Sequence, residues 1–270
     1  MLRQRGFTLV ELIMVIVLLG IVATISVQFV ALSTRGAMDV GDRQQRALQG
    51  VVISEQITRE LREAFPLSVR SETPGCLEWR PILGATGYEK LPTGPNFNSI
   101  KLLPFGEVIP EGTQLVVYGY GSARSDLYGS ADPGPVSPPI NRVEPTDTSA
   151  TFKTTDPSHR FRERSPEKRI YAVGSRISIC QGQGANDRWL YRYSDYSHGT
   201  DQPTASELAG KSSRTREVMS ANLVPGSLDL RVQPPSLNRG ALVHFAFELA
   251  DPDGNETTEV GQEVQIRNVP

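Results

Sequence analysis

The chain has 270 residues, 28 basic and 30 acidic side chains, a formal net charge of −2 and 38% hydrophobic residues. The length suits one large or two small domains. The charge balance excludes a general nucleic-acid coat, which carries a basic excess, and the apolar share excludes a multi-span membrane protein. Two cysteines cannot form a disulfide scaffold or a four-thiolate zinc site by themselves.

The apolar residues are unevenly spread. From Phe7 to Leu32 the one strongly polar residue is Glu11, with Thr8, Thr24, Ser26 and Gln28 as milder interruptions. About 20 apolar residues cross a hydrocarbon core of ~30 Å, so the run is long enough to span a membrane. Backbone groups in lipid must bond within their own segment, which predicts a helix. Arg3 and Arg5 precede the run, placing the start on the cytoplasmic side and the remainder outside, in a single pass. A cleaved secretory signal has a shorter apolar core and a small-x-small site after it. Here the core is too long, and the small residue at a sharp boundary, Gly6, comes before it. A plain anchor leaves Glu11 unexplained, because a carboxylate inside a membrane helix costs roughly 2.5–3.5 kcal/mol and is functional by default.

The string Arg5-Gly6-Phe7-Thr8-Leu9-Val10-Glu11-Leu12 resembles the prepilin signature of type IV pilins and of the pseudopilins of type II secretion. The resemblance covers residues 3 to about 30. It implies cleavage between Gly6 and Phe7 by a prepilin peptidase and N-methylation of Phe7, with the apolar helix retained as filament core. It further implies that the Glu11 carboxylate of an incoming subunit pairs with a neighbour's terminal amine. Opposite charges a few ångströms apart stabilise each other's ionised form, and in hydrocarbon the unpaired state is the costly one. Pairing of Glu11 with the amine of its own Phe7, one helical turn away, is the competing geometry. Gly20 reads as small-residue packing between membrane helices; many pilins have a proline near position 28, where this chain has Gln28.

Residues 37–65 predict an amphipathic stalk helix, with Val40, Leu48, Val51 or Val52, Ile57, Leu61 and Phe65 at helical spacing. Glu55 and Glu63 lie four residues either side of Arg59 and support it. Pro66 ends it, and Gly36 and Gly41 mark an expected weak point between the membrane and amphipathic parts. The organisation is then a leader at 1–6, a transmembrane and filament-core helix at 7–32, a stalk helix at 33–66 and an exported β-rich head at 67–270. The fold class is α+β.

In the head, short β-like runs are separated by Gly, Pro, Asn and Asp. Expected strands are Cys76–Trp79, Ser99–Phe105, Gln114–Tyr120, Ile170–Cys180, Arg188–Tyr193, Ser227–Val232, Leu242–Leu249 and Val260–Val269, the last two forming a hairpin. Ser130–Pro139 reads as a loop whose prolines prevent pairing, and the polar runs 141–169 and 194–217 as surface insertions. An oxidising compartment permits a Cys76–Cys180 disulfide, the alternative being two buried thiols.

Gly75–Pro81, Cys180, Arg188–Tyr193 and the ending Glu263–Pro270 resemble a minor pilin of the mannose-sensitive haemagglutinin (MSHA) system, the counterpart of J-type minor pseudopilins. This resemblance implies a low-copy subunit at the filament tip. Its partners would be other minor and major pilins, the prepilin peptidase, the inner-membrane assembly platform and the membrane, with no nucleic acid and no cofactor. Asp251, Asp253, Asn255 and Glu256 offer oxygen ligands for Ca²⁺ but lack EF-hand spacing, and Pro-Asp-Gly-Asn is also turn chemistry. His159 and His198 fall in polar loops and His244 in a strand. Arg160, Arg162, Arg164, Lys168 and Arg169 form a basic run that reads as a solvated face. No H-E-x-x-H, G-x-S-x-G or P-loop string is present, so no enzyme is expected.

Overall fold

The structure is a computed structural model that describes residues 8–91, 98–120, 122–153, 159–236, 239–251, 254 and 256–267. One long helix precedes a β-rich head, so the class is α+β. The helix, α1 (Leu9–Arg62), contains no proline, and Pro66 opens a short 3₁₀ turn just beyond it. Gly36 and Gly41 do not interrupt it: α1 is continuous through both. A single glycine weakens a helix by about 1 kcal/mol, too little to break one of this length.

The chain divides into two compact units, 1–49 and 50–270. In the first, an apolar window of α1 has mean hydropathy 2.7 and is wholly exposed. Residues 9–32, at 1.5 Å rise, extend about 36 Å, more than a hydrocarbon core.

The second unit starts with the last turns of α1. Then come β1 (Cys76–Trp79), β2 (Ile82–Lys90), β3 (Ser99–Leu102), β4 (Gln114–Val116), β5 (Val136–Pro139), β6 (Ser149–Thr151) and β7 (Arg169–Val173). These are followed by β8 (Ile177–Gln181), β9 (Leu190–Ser194), the short helix α2 (Ala205–Gly210), β10 (Thr215–Ser220), β11 (Asp229–Gln233), β12 (Ala241–Ala250) and β13 (Thr257–Ile266). They form sheets of order β1-β8-β9-β10, β11-β12-β13 and β5-β4-β7-β2-β3-β6.

The first two sheets share one core with α1. Ile53, Ile57 and Leu61 meet Leu77, Trp79, Ile179, Val243, Phe245, Phe247 and Leu249, all buried. At Gly50 the helix lies close against β13. A Cβ there would collide with the Val260 side chain, so a larger residue would push β13 away. Beside it the Ser54 hydroxyl bonds to the Gln262 side chain.

This corrects the expected stripe. Val51 and Val52 are exposed, as are Val40 and Leu48, whereas Ile53 is buried. The buried face is Gly50, Ile53, Ile57, Leu61 at spacings of three and four, and small or polar members of that face hid it from a count of apolar residues.

The third sheet is an insertion. β1 and β8 are antiparallel neighbours, yet six strands lie between them in sequence. The chain leaves β1 into β2 and returns from β7 into β8, with Ile82 opposite Val173 and the Gly174 amide bonded to the Pro81 carbonyl at 2.9 Å. This sheet has its own core around Ile100, Leu102, Ile109, Leu115, Ile140 and Ile170.

Several sequence expectations change here. Val136–Pro139 is a strand despite its prolines, because β5 lies at the edge of its sheet and the missing N–H groups cost no ladder bond there. Ile170–Cys180 is two strands, broken at 174–176, that belong to different sheets. The polar run 141–169 contributes β6 and buries Val143 and Phe152. The run 194–217 holds α2 and part of β10, and buries Tyr196 and Leu208. β2 was missed because Gly84 and Gly87 dilute its pattern. β12 and β13 form the expected hairpin; residues 268 and 269 of the expected last strand lie outside the described residues.

Candidate functional site: the amino-terminal helix and the head's buried charges

Gly6 and Phe7 lie outside the described residues. Glu11 sits in the first turn of α1 and is exposed. Its backbone N–H donates to the Thr8 hydroxyl at 3.3 Å. Thr8 therefore caps the helix, satisfying one orphan amide at its start, with Glu11 at the third position. A carboxylate there also faces the positive end of the helix dipole. The site thus supplies a local reason for a carboxylate at the helix start, alongside the assembly role that the resemblance implies. Further along, Thr24 donates back to the carbonyls of Gly20 and Ile21, both at 2.9 Å, which satisfies its hydroxyl inside the apolar run.

Cys76 and Cys180 are joined by a disulfide across directly opposed positions of β1 and β8. The neighbouring Gln181 amide bonds the Gly75 carbonyl at 3.0 Å. The cysteines thus occupy the adjacent non-hydrogen-bonded pair, where opposed Cα atoms approach most closely. The bridge staples the base of the insertion.

Sequence reasoning gave no sign of the buried charge network next to that base. Glu78, on β1, is fully buried and accepts from Arg70 at 2.6 Å and from the Tyr196 hydroxyl at 2.8 Å, with Arg176 at 3.8 Å. The Arg70 guanidinium lies 3.7 Å from the centre of the Tyr128 ring and also donates to the Thr200 carbonyl. Tyr128 in turn donates to the Ser68 carbonyl at 2.6 Å. Burial pushes the Tyr196 and Tyr128 hydroxyls far above their usual range, and the Glu78 charge pushes in the same direction. Both are neutral donors at any physiological pH.

Arg80, the first residue beyond β1, fixes the neck of the insertion. Its guanidinium donates to the Gly174 carbonyl, the Leu127 carbonyl and the Gln114 side chain at 3.0, 2.9 and 2.8 Å. Burial lowers its pKa to about 10, which still leaves it charged near neutral pH. Five donors in a planar fork suit a site with three fixed acceptors. The only sequence signal was the local charge density of Glu78-Trp79-Arg80 in an otherwise apolar strand.

The three histidines are apart. His244 is half-buried on the outer face of β12, and His198 is half-buried in a loop. His159, expected in a polar loop, is buried, with its ring edge-on to Phe152 and Phe161. Burial lowers its pKa, against the opposing pull of Asp132 and a hydrogen bond with the backbone of Gly134. In the basic run, Arg160, Arg162 and Arg169 pair with Asp132, Asp126 and Glu167 on the surface.

Asp251 opens the β12–β13 turn, in which the Gly254 amide bonds its carbonyl at 3.1 Å and Gly254 has φ +75°. Asp253 and Asn255 of the weak Ca²⁺ candidate lie outside the described residues. Among the described residues no group of three or more His, Cys, Asp or Glu is placed to hold a metal.

Neither a curated protein nor a solved structure matches the chain. Residues 1–27 match the family described as the prokaryotic N-terminal methylation motif, and that motif indicates a subunit of the type IV pilin-like and pseudopilin class.

Proposed function

We propose that the chain is a low-copy, pilin-like subunit that takes part in starting and assembling a type IV filament of the MSHA kind, at its tip. The observation that carries this reading is the methylation motif at 1–27 leading directly into a continuous, exposed apolar helix. In this reading the precursor crosses the inner membrane once, with its amino terminus in the cytoplasm and its head in the periplasm. The prepilin peptidase cuts between Gly6 and Phe7 and the new terminus is methylated. Glu11 then pairs with the terminal amine of a neighbouring minor or major pilin on the assembly platform. Removing an unpaired carboxylate from hydrocarbon gives assembly a direction.

Mass spectrometry of the membrane fraction tests the processing: the expected chain starts at N-methylated Phe7. An intact Met1, or a start beyond residue 25, overturns the reading. Glu11→Ala is expected to be processed but excluded from filaments; because Glu11 also occupies the helix start, Glu11→Gln separates charge from capping and is expected to fail in the same way. Within the same class, a J-type minor pseudopilin of type II secretion is the alternative, and co-purification with pilus or with secretion subunits decides between them.

A binding role for the head is the second reading, favoured by the inserted sheet with its own core. Deleting the long loops would not test it, since both contribute buried side chains. Replacing exposed apolar side chains of the insertion, Leu103→Ser with Val108→Ser, leaves its core and the neck in place and would test it. Normal pilus number with lost adhesion supports binding, whereas lost pili support a role in assembly.

A further inference from the structure

β13 is the last strand of its sheet and 10 residues long, about 34 Å of ladder. The direction of its free hydrogen bonds follows from its neighbours. On β12, the Glu248 carbonyl and the Ala250 amide bond to Val224 and Asn222, on the side away from β13. The intervening Leu249 and Phe247 therefore bond β13 at Thr258 and Val260. By alternation, Thr257, Glu259, Gly261, Glu263 and Gln265 turn their N–H and C=O groups outward, and among the described residues no backbone bond to another element meets them. The side chains that face α1 at this edge, Thr258, Val260 and Gln262, are half-exposed, whereas those on the central strand β12 are buried. Among the described residues no strand pairs with this edge.

Its charges select what can cover it. On the face away from α1, Glu248 and Glu259 stand directly opposite each other, and Glu263 lies two positions further along this face. Like charges in opposed positions destabilise a sheet, and among the described residues no ion pair reaches any of these three carboxylates. A second copy adding antiparallel along all five outward residues would place Glu259 against Glu263 of that copy, adding two more repulsions. A basic strand would relieve the existing one.

We propose that the β13 edge receives an extended segment of a partner protein by strand addition. The segment carries Lys or Arg opposite Glu259 and Glu263, four residues apart. An apolar residue lies opposite Val260, and a bulky one opposite Gly261, where the absence of a side chain leaves room. Backbone bonds give affinity and the alternate side chains give specificity. The proposal is independent of the amino-terminal reading, and loss of Phe7 methylation would not touch it.

The test uses the detergent-solubilised full chain and two fluorescein-labelled peptides, TKVYVKT and TEVYVET, read by anisotropy. The basic peptide is expected to bind saturably and the acidic one at least tenfold more weakly. Gly261→Pro removes an N–H that meets no acceptor among the described residues, and is expected to weaken basic-peptide binding at least tenfold. Glu259→Lys with Glu263→Lys is expected to reverse the preference. Equal binding of the two peptides, absence of saturable binding, or full binding to the proline variant would overturn the proposal. So would a concentration-dependent dimer in sedimentation that Gly261→Pro abolishes, since the occupant would then be a second copy.

Discussion

Replacing Glu78 by leucine while Arg70 stays in place tests the buried charge network. Glu78 is fully buried and the Arg70 side chain is 1% exposed, so neither can turn to solvent when its partner is lost. The variant leaves the buried Arg70 guanidinium with only the half-exposed Glu72 carboxylate, at 3.8 Å, and takes from Arg176 the Glu78 carboxylate at 3.8 Å. It also leaves the Tyr196 hydroxyl with only Ser178, at 2.6 Å, as partner. Breaking a buried pair from one side costs about 3–5 kcal/mol. The cation–π contact of Arg70 with Tyr128 is present in parent and variant alike, so it does not offset the loss. The double variant Arg70→Met, Glu78→Leu removes the close pair and leaves Arg176 with its bonds to the Gly199 and Tyr128 carbonyls; it is expected to lie within about 2 kcal/mol of the parent, because replacing a buried pair by apolar residues is often neutral.

The assay is thermal unfolding in detergent followed by tryptophan fluorescence, since Trp79 is buried one residue from Glu78. At about 2–4 °C per kcal/mol for a domain of this size, the single variant is expected to lose on the order of 10 °C in Tm. The double variant should recover most of that. A single variant that costs under about 1 kcal/mol, or a double variant no better than the single, would refute the reasoning.

The disulfide closes a loop with a sequence separation of 104. Cys76→Ala with Cys180→Ala is expected to cost about 4–5 kcal/mol in the chain-entropy model, measured as a shift in the non-reducing urea midpoint. Leu61→Ala, at a fully buried position of α1, is expected to cost about 2–5 kcal/mol. By contrast, Val52→Ala, on the exposed face, should stay within about 0.5 kcal/mol; similar values for the two would misplace the helix face. His159 binds a proton more weakly folded than unfolded, so its contribution is complete above the ordinary histidine value of 6.5 and is lost as pH falls below it. Urea midpoints of the parent should therefore fall between pH 7 and 5 by more than those of His159→Phe; parallel curves would show that His159 does not titrate in a buried site.

The apolar first half of α1 was legible because its constraints are local. A span of lipid requires about 20 apolar residues in one helix, so Phe7–Leu32 announces itself, and one carboxylate in that run stands out on cost alone. The terminal hairpin was legible for the same reason, since turn residues separate two alternating runs and fix their pairing. The strands Cys76–Trp79 and Leu242–Leu249 carry buried apolar side chains that periodicity can count.

What tertiary structure decided is the pairing of residues distant in sequence. β1 and β8 are neighbours only because six strands fold out between them and return, and no local pattern encodes that nesting. The face of α1 that packs on the sheet begins at Gly50, whose value lies in the side chain it lacks, and includes Ser54 and Thr58. β5 is a strand because it lies at an edge, where prolines withhold nothing that a ladder needs. Arg70, Glu78 and Arg80 read in the sequence as ordinary charged residues. They are buried because each finds its partners on segments brought together by the fold, and a charge whose partners are distant in sequence gives no local sign of being inside.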